Sequence, residues 1–191
     1  MTTSLVRSLT AGAALLAALG PQAVLAQQVQ TAQSEIAFVS KQMGVPVEGK
    51  FKKWTAQITL DPKKAEAGKV AFTIDTGSAS FGSPETDAEV PKAAWFNVAK
   101  FPTASFQSTA IKALGGGKFE VRGKLSIKGS SQDVVVPVAV TQAGANSTAS
   151  GAFMIKRLDF KIGEGEWADT SMVANDVQVK FKLNLSGMAP L

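Results

Sequence analysis

The chain has 191 residues with a formal net charge of +5, and it contains neither Cys nor His. This composition excludes disulfides and thiol redox chemistry, and it removes the commonest metal ligand and the commonest general base. The Lys residues are scattered along the chain, which argues against nucleic acid as a partner and indicates a solvated surface that is compatible with transient contact to lipid head groups.

The first element in chain order is typical of a secretory signal peptide. Arg7 precedes an apolar run, Leu9–Leu19, and the small-residue motif Val24-Leu25-Ala26 follows. A membrane-spanning helix needs about 20 apolar residues, so this run is too short to be a transmembrane anchor. We therefore predict a signal peptide over residues 1–26, a single domain over 27–191, and a location in the periplasm.

Alternation of apolar and polar residues recurs along the rest of the chain and predicts β-strands. The predicted strands cover residues 35–42, 45–60 with an interruption at Lys52-Lys53, 70–74, 103–111, 119–128, 133–141, 148–161 and 177–185. Gly115-Gly116-Gly117 and residues 142–147 have the composition of hairpin tips. Pro137 cannot donate to a strand ladder, so it predicts a sheet edge or a bulge.

One segment interrupts the strand pattern. Ser83-Pro84-Glu85 combines a hydroxyl cap, a proline in the first turn and an acidic residue near the helix N-terminus. We expect a short helical excursion around residues 83–101, whose first part ends before Pro91. The acidic residues of this segment are explained by the helix dipole and do not require a catalytic role.

About eight strands and one short helix indicate an all-β fold. Closure into an antiparallel β-barrel would remove exposed sheet edges, and a two-sheet sandwich is the alternative. A barrel of eight strands can enclose one small ligand, and the predicted inner face is rich in Phe. This favours a barrel with an apolar ligand cavity, although the same Phe side chains could fill the interior completely.

The candidate ligand-binding residues follow from the inward phase of the strands and from the helical segment. They are Phe38, Gln42, Phe51, Phe72, Trp95, Phe96, Phe106, Phe119, Phe153, Ile155, Arg157 and Phe181. Arg157 continues the apolar phase of Phe153 and Ile155, so its charge is predicted to point inward. A buried guanidinium needs a carboxylate, a ring of carbonyls or the head group of a ligand. Asp75, Asp87 and Asp159 are the candidate carboxylates. The sequence presents no catalytic constellation and no metal-binding motif.

Four ordered motifs resemble those of the YceI-like family, lipocalin-like periplasmic proteins that bind polyisoprenoids. The motifs are Ser34-Glu35-Ile36-Ala37-Phe38 with Met43 to Phe51, Trp95-Phe96-Asn97-Val98 with Phe101 to Phe106, Gly123 to Gly129, and Arg157-Leu158-Asp159-Phe160. The resemblance implies an elongated, eight-stranded antiparallel lipocalin-like barrel with a helix beside it. Many members carry His near the positions of Gln33 and Gln42, which leaves head-group recognition open here.

The functional expectation that follows is a non-enzymatic carrier. The resemblance implies that the barrel encloses a long-chain isoprenoid, such as a polyprenyl phosphate or a quinone, or another long-chain lipid, and that no cofactor is needed. The alternative is a structural or stress-related interaction module with a filled barrel. Dimerisation through a barrel edge or face is compatible with the sequence, and so is transient contact with a membrane surface.

Overall fold

The computed structural model describes residues 26–191, so the predicted signal peptide lies outside the described residues except for Ala26. The described part of the chain contains eleven strands, one short α-helix and five 3-10 helical segments, Thr31–Gln33, Pro62–Ala67, Thr76–Ser78, Arg157–Phe160 and Gly165–Ala168. The strands are β1 Gln28–Val29, β2 Glu35–Gln42, β3 Val45–Phe51, β4 Trp54–Thr59, β5 Lys69–Asp75, β6 Ala79–Ser80, β7 Thr103–Gly115, β8 Lys118–Ile127, β9 Ser130–Ala143, β10 Asn146–Lys156 and β11 Asp176–Ser186, and the helix is α1 Pro84–Glu89.

All strands pair antiparallel in one sheet with the order β4-β5-β7-β8-β9-β10-β11-β2-β3-β6. β4 stands at one end of this order and β3 stands next to the other end, yet only Lys52 and Lys53 separate them in the chain. The sheet therefore has to curl back on itself. This confirms the all-β, lipocalin-like fold, and the long kinked strand predicted over residues 45–60 is the β3–β4 pair. With that pair counted once, eight long strands form the wall; β1 and β6, of two residues each, were not predicted.

The short strand β1 closes the seam between β11 and β4. Val29 is in register with Leu185 of β11, and Gln27 forms an isolated bridge to Ile58 of β4. The side chain of Gln27 is buried, and its Oε1 accepts a hydrogen bond of 2.8 Å from the backbone N–H of Leu60. Backbone groups at this seam are thus paired although β4 and β11 do not bond each other directly.

The strand alternation places the core inside the barrel. In β8, Phe119, Val121, Leu125 and Ile127 are buried, and Lys118, Arg122 and Lys124 are exposed. Pro137 lies in β9, where it stays in register with Glu120 of β8. The β9–β10 ladder has already ended at Ala139 and Ser150, so Pro137 occupies a local edge, as its missing N–H predicts.

The helical excursion forms where it was predicted. Ser83 is the N-cap of α1, with its Oγ accepting from the N–H of Thr86, and Pro84 occupies the first helical position. The helix ends at Glu89, before Pro91, and turns continue to Lys100. Asp87 fixes the helix to β6, because its carboxylate accepts hydrogen bonds from the Ser80 hydroxyl at 2.8 Å and the Phe81 N–H at 2.6 Å.

The strand predicted over residues 148–161 is shorter than expected. β10 ends at Lys156, and a 3-10 helix, Arg157–Phe160, follows it. The residue Lys161 then adopts a left-handed conformation with φ of 56°, which turns the chain into the loop before β11. Within residues 26–191, no helix has the length and hydropathy needed to cross a bilayer.

Candidate ligand-binding cavity

A cavity of about 560 Å³ lies inside the barrel. All twelve residues proposed from the sequence line it: Phe38, Gln42, Phe51, Phe72, Trp95, Phe96, Phe106, Phe119, Phe153, Ile155, Arg157 and Phe181. The volume is within the range of about 300–1,000 Å³ that is usual for small-molecule sites. The Phe-rich inner face therefore does not fill the barrel.

Glycines on the inward phase of three strands explain why the cavity stays open. A Cβ atom at any of them would lie within 3.0 Å of a Phe ring from a neighbouring strand, and the pairs are Gly49 with Phe38, Gly123 with Phe106, and Gly151 with Phe181. Each ring thus lies over a strand that has no side chain at that point. The aromatic surface lines the wall, and the centre of the barrel remains empty.

One end of the cavity is closed and entirely apolar. Its walls come from the end of the barrel where β2 begins and β11 finishes, and its residues Ile58, Leu60, Phe119, Leu183 and Leu185 are each at most 7% exposed. Met188, from the segment after β11, also lines the cavity and packs against the core. An apolar chain placed here would lose contact with water along its whole length.

The opposite end carries the polar lining residues. Ser40 and Gln42 contribute from the end of β2, and Glu85, Thr86 and Glu89 contribute from α1. Glu85 is exposed to solvent, so the cavity opens to the surface beside α1. Trp95 and Trp167 pack against each other here with ring centroids 5.4 Å apart. The site therefore changes from apolar to polar along the barrel axis, which is the polarity pattern of an amphiphile with one long tail.

Arg157 points inward, as predicted, and is 1% exposed. Its Nε donates to the Ala174 carbonyl at 3.0 Å, and Nη1 and Nη2 each donate to two further carbonyls. Those four acceptors are the backbone oxygens of Ile162, Gly163, Trp167 and Val173, at 2.6–3.0 Å. Burial without a neighbouring anion lowers the pKa of Arg157.

The hypothesis of a buried ion pair for Arg157 is therefore wrong. A guanidinium has five N–H groups, and all of them are occupied by the ring of carbonyls. Asp75 accepts from the N–H of Gly77, Asp87 holds α1, and Asp159 is not among the acceptors of Arg157. Arg157 organises the loop between β10 and β11, and it has no N–H left for a ligand head group.

Lys128 is a buried cation that sequence reasoning missed. Its Nζ donates to the carbonyls of Ala93 and Lys161 at 2.8 and 2.7 Å, and to the carboxylate of Glu164 at 2.8 Å. Strand alternation placed Lys128 outward, but the residue lies in the β8–β9 turn with φ of 47°, where that alternation no longer applies. The hydrogen bond from Lys128 is the main cause that lowers the pKa of Glu164.

Two aromatic lining residues were also missed. Phe81 packs against Phe38 with centroids 5.1 Å apart, and Trp167 meets Trp95. Both lie in short connections, after β6 and within a 3-10 helix, where no alternation signals an inward side chain. Within the described residues, Asp and Glu nowhere form a group of three that could hold a metal ion.

The sequence model of a family described as YceI-like domain matches residues 27–185 of this chain. The chain belongs to the YceI-like family. Among curated relatives, a UPF0312 protein of Azotobacter vinelandii is 35% identical over 133 residues, which is 68% of each chain. A UPF0312 protein of Pseudomonas syringae pv. tomato is 31% identical over 141 residues, 72% of each.

Solved structures resemble this YceI-like chain over most of its length. BcnA of Burkholderia cenocepacia shares 47% identity and a TM-score of 0.80, with 82% of this chain and 99% of BcnA covered. A polyisoprenoid binding domain from Saccharophagus degradans, implicated in plant cell wall breakdown, shares the fold with a TM-score of 0.65 at 18% identity, covering 86% and 98%. The folds of these YceI-like and related proteins therefore agree with the barrel described above.

Proposed function

We propose that this YceI-like protein is a periplasmic carrier that holds a long-chain isoprenoid, or a similar lipid amphiphile, inside its barrel. The observation that carries the proposal is the cavity itself, apolar and closed at one end and polar and open at the other. The description of the Saccharophagus domain as polyisoprenoid-binding supports this ligand class.

The energetic argument concerns the tail. Burial of an apolar chain stabilises a complex by about 0.8 kcal/mol per methylene, so a tail of many carbons supplies affinity without specific polar contacts. A tail in the closed end would meet Ile58, Phe119, Leu183 and Leu185, all nearly inaccessible to water. The filled-barrel alternative is disfavoured, because a filled barrel would not contain this volume.

The charges at the open end favour an uncharged head group, such as that of a quinone, over a phosphate. Among the described residues that line the cavity, the charged ones are Glu85, Glu89 and Arg157. The two carboxylates would repel a phosphate, and every N–H of Arg157 is already bonded. The Nε1 of Trp95 is buried and has no hydrogen-bond partner within the described residues, so a carbonyl oxygen near it would supply an acceptor.

The proposal also includes export to the periplasm and a binding role without catalysis. The signal-peptide pattern of residues 1–26 supports delivery to the periplasm. The polar lining groups include no pair of nucleophile and general base, which supports binding and transport rather than turnover. The ligand is the only small molecule that the proposal requires.

The first experiment is organic extraction and mass spectrometry of the purified mature protein, which we expect to reveal a bound prenyl lipid. The second is titration of delipidated protein with a long-chain ubiquinone and with a polyprenyl phosphate, followed by Trp fluorescence. We expect tighter binding of the quinone. Failure of both lipids to bind would reject the carrier, and equal or tighter binding of the phosphate would reject only the head-group assignment.

A matched pair of variants tests whether the lipid occupies the cavity. Val179 lines the cavity from β11, and its neighbour Gln178 is exposed on the outer face. Val179→Phe should weaken lipid binding because it takes up cavity volume, whereas Gln178→Phe adds the same side chain outside and should leave binding unchanged. Equal affinities in the two variants would place the lipid elsewhere.

A further inference from the structure

Three large apolar side chains are exposed together where β2 meets β3 and where the loop before β11 approaches them. Met43 is 73% exposed, Val45 63% and Met172 47%. The backbone N–H of Met43 donates to the carbonyl of Met172 at 2.8 Å, so the hairpin tip and the loop are adjacent. We refer to Met43, Val45 and Met172 as the apolar rim.

The backbone conformation at position 43 is unfavourable for Met. Met43 and Gly44 form the two-residue turn between β2 and β3, with φ of 48° and 80°. Such turns strongly prefer Asn, Asp or Gly, because other side chains are strained at positive φ. Met43 therefore carries backbone strain and also leaves its side chain in water. Packing within the described chain does not account for it.

The rim borders the open end of the cavity. Gln42 and Val173 line the cavity, and they are the immediate chain neighbours of Met43 and Met172. Gln42 and Val173 also form an isolated bridge. Val45 is the cross-strand partner of Gln42 in the β2–β3 ladder, so its side chain lies on the same face of the sheet as the cavity-lining Gln42.

The composition of the rim fits a lipid surface. The segments 42–47 and 170–175 contain no charged residue, so they can enter an apolar phase without burying a charge. Three side chains offer at most a few hundred Å² of apolar surface. That is well below the area of about 800 Å² per partner that a stable protein interface needs, which favours shallow contact with a bilayer over a second copy of this chain.

We infer that the apolar rim dips into the surface of a bilayer, so that the ligand passes between the membrane and the cavity without crossing water. The inference rests on the proposed carrier function and adds the place where the carrier meets its lipid source. Because the contact is apolar rather than ionic, it should form on uncharged membranes and persist at high salt.

The test compares two triple variants. The rim variant carries Met43→Ser, Val45→Ser and Met172→Ser. The control variant carries Leu114→Ser, Val135→Ser and Met154→Ser, which remove apolar side chains that are 56%, 49% and 56% exposed on other strands of the barrel. Donor vesicles of phosphatidylcholine and phosphatidylethanolamine contain a long-chain ubiquinone, and quenching of Trp fluorescence reports its transfer to the delipidated protein.

We expect transfer to the rim variant to be slower by about tenfold or more than transfer to the wild type and to the control variant. Affinity for ubiquinone delivered from detergent should be the same in all three proteins. The single variant Met43→Asn should also slow transfer while keeping or raising stability, because Asn tolerates positive φ. Slow transfer in a protein at least as stable as the wild type excludes misfolding as the cause.

Equal transfer rates in the rim and control variants would overturn the inference. Loss of a dimer in the rim variant, seen by sedimentation with an unchanged transfer rate, would also overturn it and assign the rim to self-association. If ubiquinone delivered from detergent binds none of the proteins, the proposed function fails instead. Flotation of the delipidated protein with ligand-free vesicles then tests the rim independently, and only rim-dependent flotation would support it.

Discussion

Backbone carbonyls bind the guanidinium of Arg157. The sequence alone indicated only that a buried guanidinium needs some hydrogen-bonding partner. The inward phase of Phe153 and Ile155 predicts that its charge is buried, and this is confirmed. The acceptors come from Ile162 to Ala174, a loop without periodicity, so their convergence on one guanidinium depends on the tertiary path of the chain. Arg157 therefore stabilises the conformation of the loop between β10 and β11 at this end of the barrel.

Replacement of Arg157 should therefore reduce stability before it affects ligand affinity. Arg157→Lys keeps the charge but offers at most three donors to five carbonyls. We expect a loss of about 2–5 kcal/mol in the free energy of unfolding, measured in urea. The control is Arg122→Lys, at an exposed residue paired with Glu120, which should cost about 1 kcal/mol or less. Equal effects of the two changes would contradict the structural role.

The missing side chain at Gly49 sets the position of the Phe38 ring and therefore the free volume of the cavity. The atoms nearest to a Cβ at this position are side-chain atoms of Phe38, whereas at Gly123 and Gly151 the nearest atoms include a backbone oxygen. Gly49→Ala should push the Phe38 ring towards the centre and weaken lipid binding about tenfold, with a smaller change in stability.

The double variant Gly49→Ala with Phe38→Leu provides the control for that displacement. A smaller side chain at position 38 gives the new methyl group room, so lipid binding should recover relative to Gly49→Ala alone. Titration with ubiquinone measures both variants. If the double variant binds no better than the single one, the ring displacement is not the cause.

At the scale of elements, the period-two alternation located the regular strands but did not predict the side-chain directions in the connections between them. β8 and β11 alternate so regularly that their inward residues are readable from the sequence, and the cap at Ser83 marks the start of α1. Lys128, Phe81 and Trp167 lie in turns and short 3-10 segments, where the direction of a side chain depends on local dihedral angles. Their places in the site were therefore not predictable from a period of two.

The stability of α1 should depend on pH through the protonation of Asp87. Hydrogen bonds from the Phe81 N–H and the Ser80 hydroxyl lower the pKa of Asp87 below its ordinary value of 3.8. A lowered pKa in the folded state contributes stability that is fully present above the ordinary value and is lost as the pH falls towards the folded-state value. The α1 segment should therefore loosen below about pH 4.

Trp fluorescence measured during acid titration checks this expectation, because Trp95 follows α1 in the chain. Asp87→Asn removes the titrating group, so its signal should depend less on pH below 4 than that of the wild type. Asp133→Asn, at a carboxylate that is 82% exposed, is the control. Identical acid transitions in the wild type and Asp87→Asn would show that another group governs the loosening.

For the whole molecule, closure of the barrel depends on both a kinked strand and a very short one. The interruption at Lys52-Lys53 was visible in the sequence, and it lets one continuous segment pair with β2 on one side and with β5 on the other. β1 could not be predicted, because two residues carry no readable period. Leu185, the partner of Val29, and Ile58, the partner of the adjacent Gln27, lie far away in the chain.

Gln27 is the residue whose loss should open this seam. Gln27→Ala removes the acceptor of the buried Leu60 N–H, and an unsatisfied buried donor costs about 1–3 kcal/mol. Unfolding in urea measures the loss. Gln28→Ala, at the exposed neighbour, should change stability by less than about 0.5 kcal/mol. The prediction fails if both variants unfold at the same urea concentration.

The pairing of inward glycines with aromatic rings makes the capacity of this barrel adjustable in small increments. Exchange of a single hydrogen for a methyl group at position 49 would move one ring and leave the strand order untouched. Related barrels could therefore accommodate tails of different length or bulk through point substitutions at such sites. A change of ligand would then require no insertion, no new loop and no rearrangement of the wall.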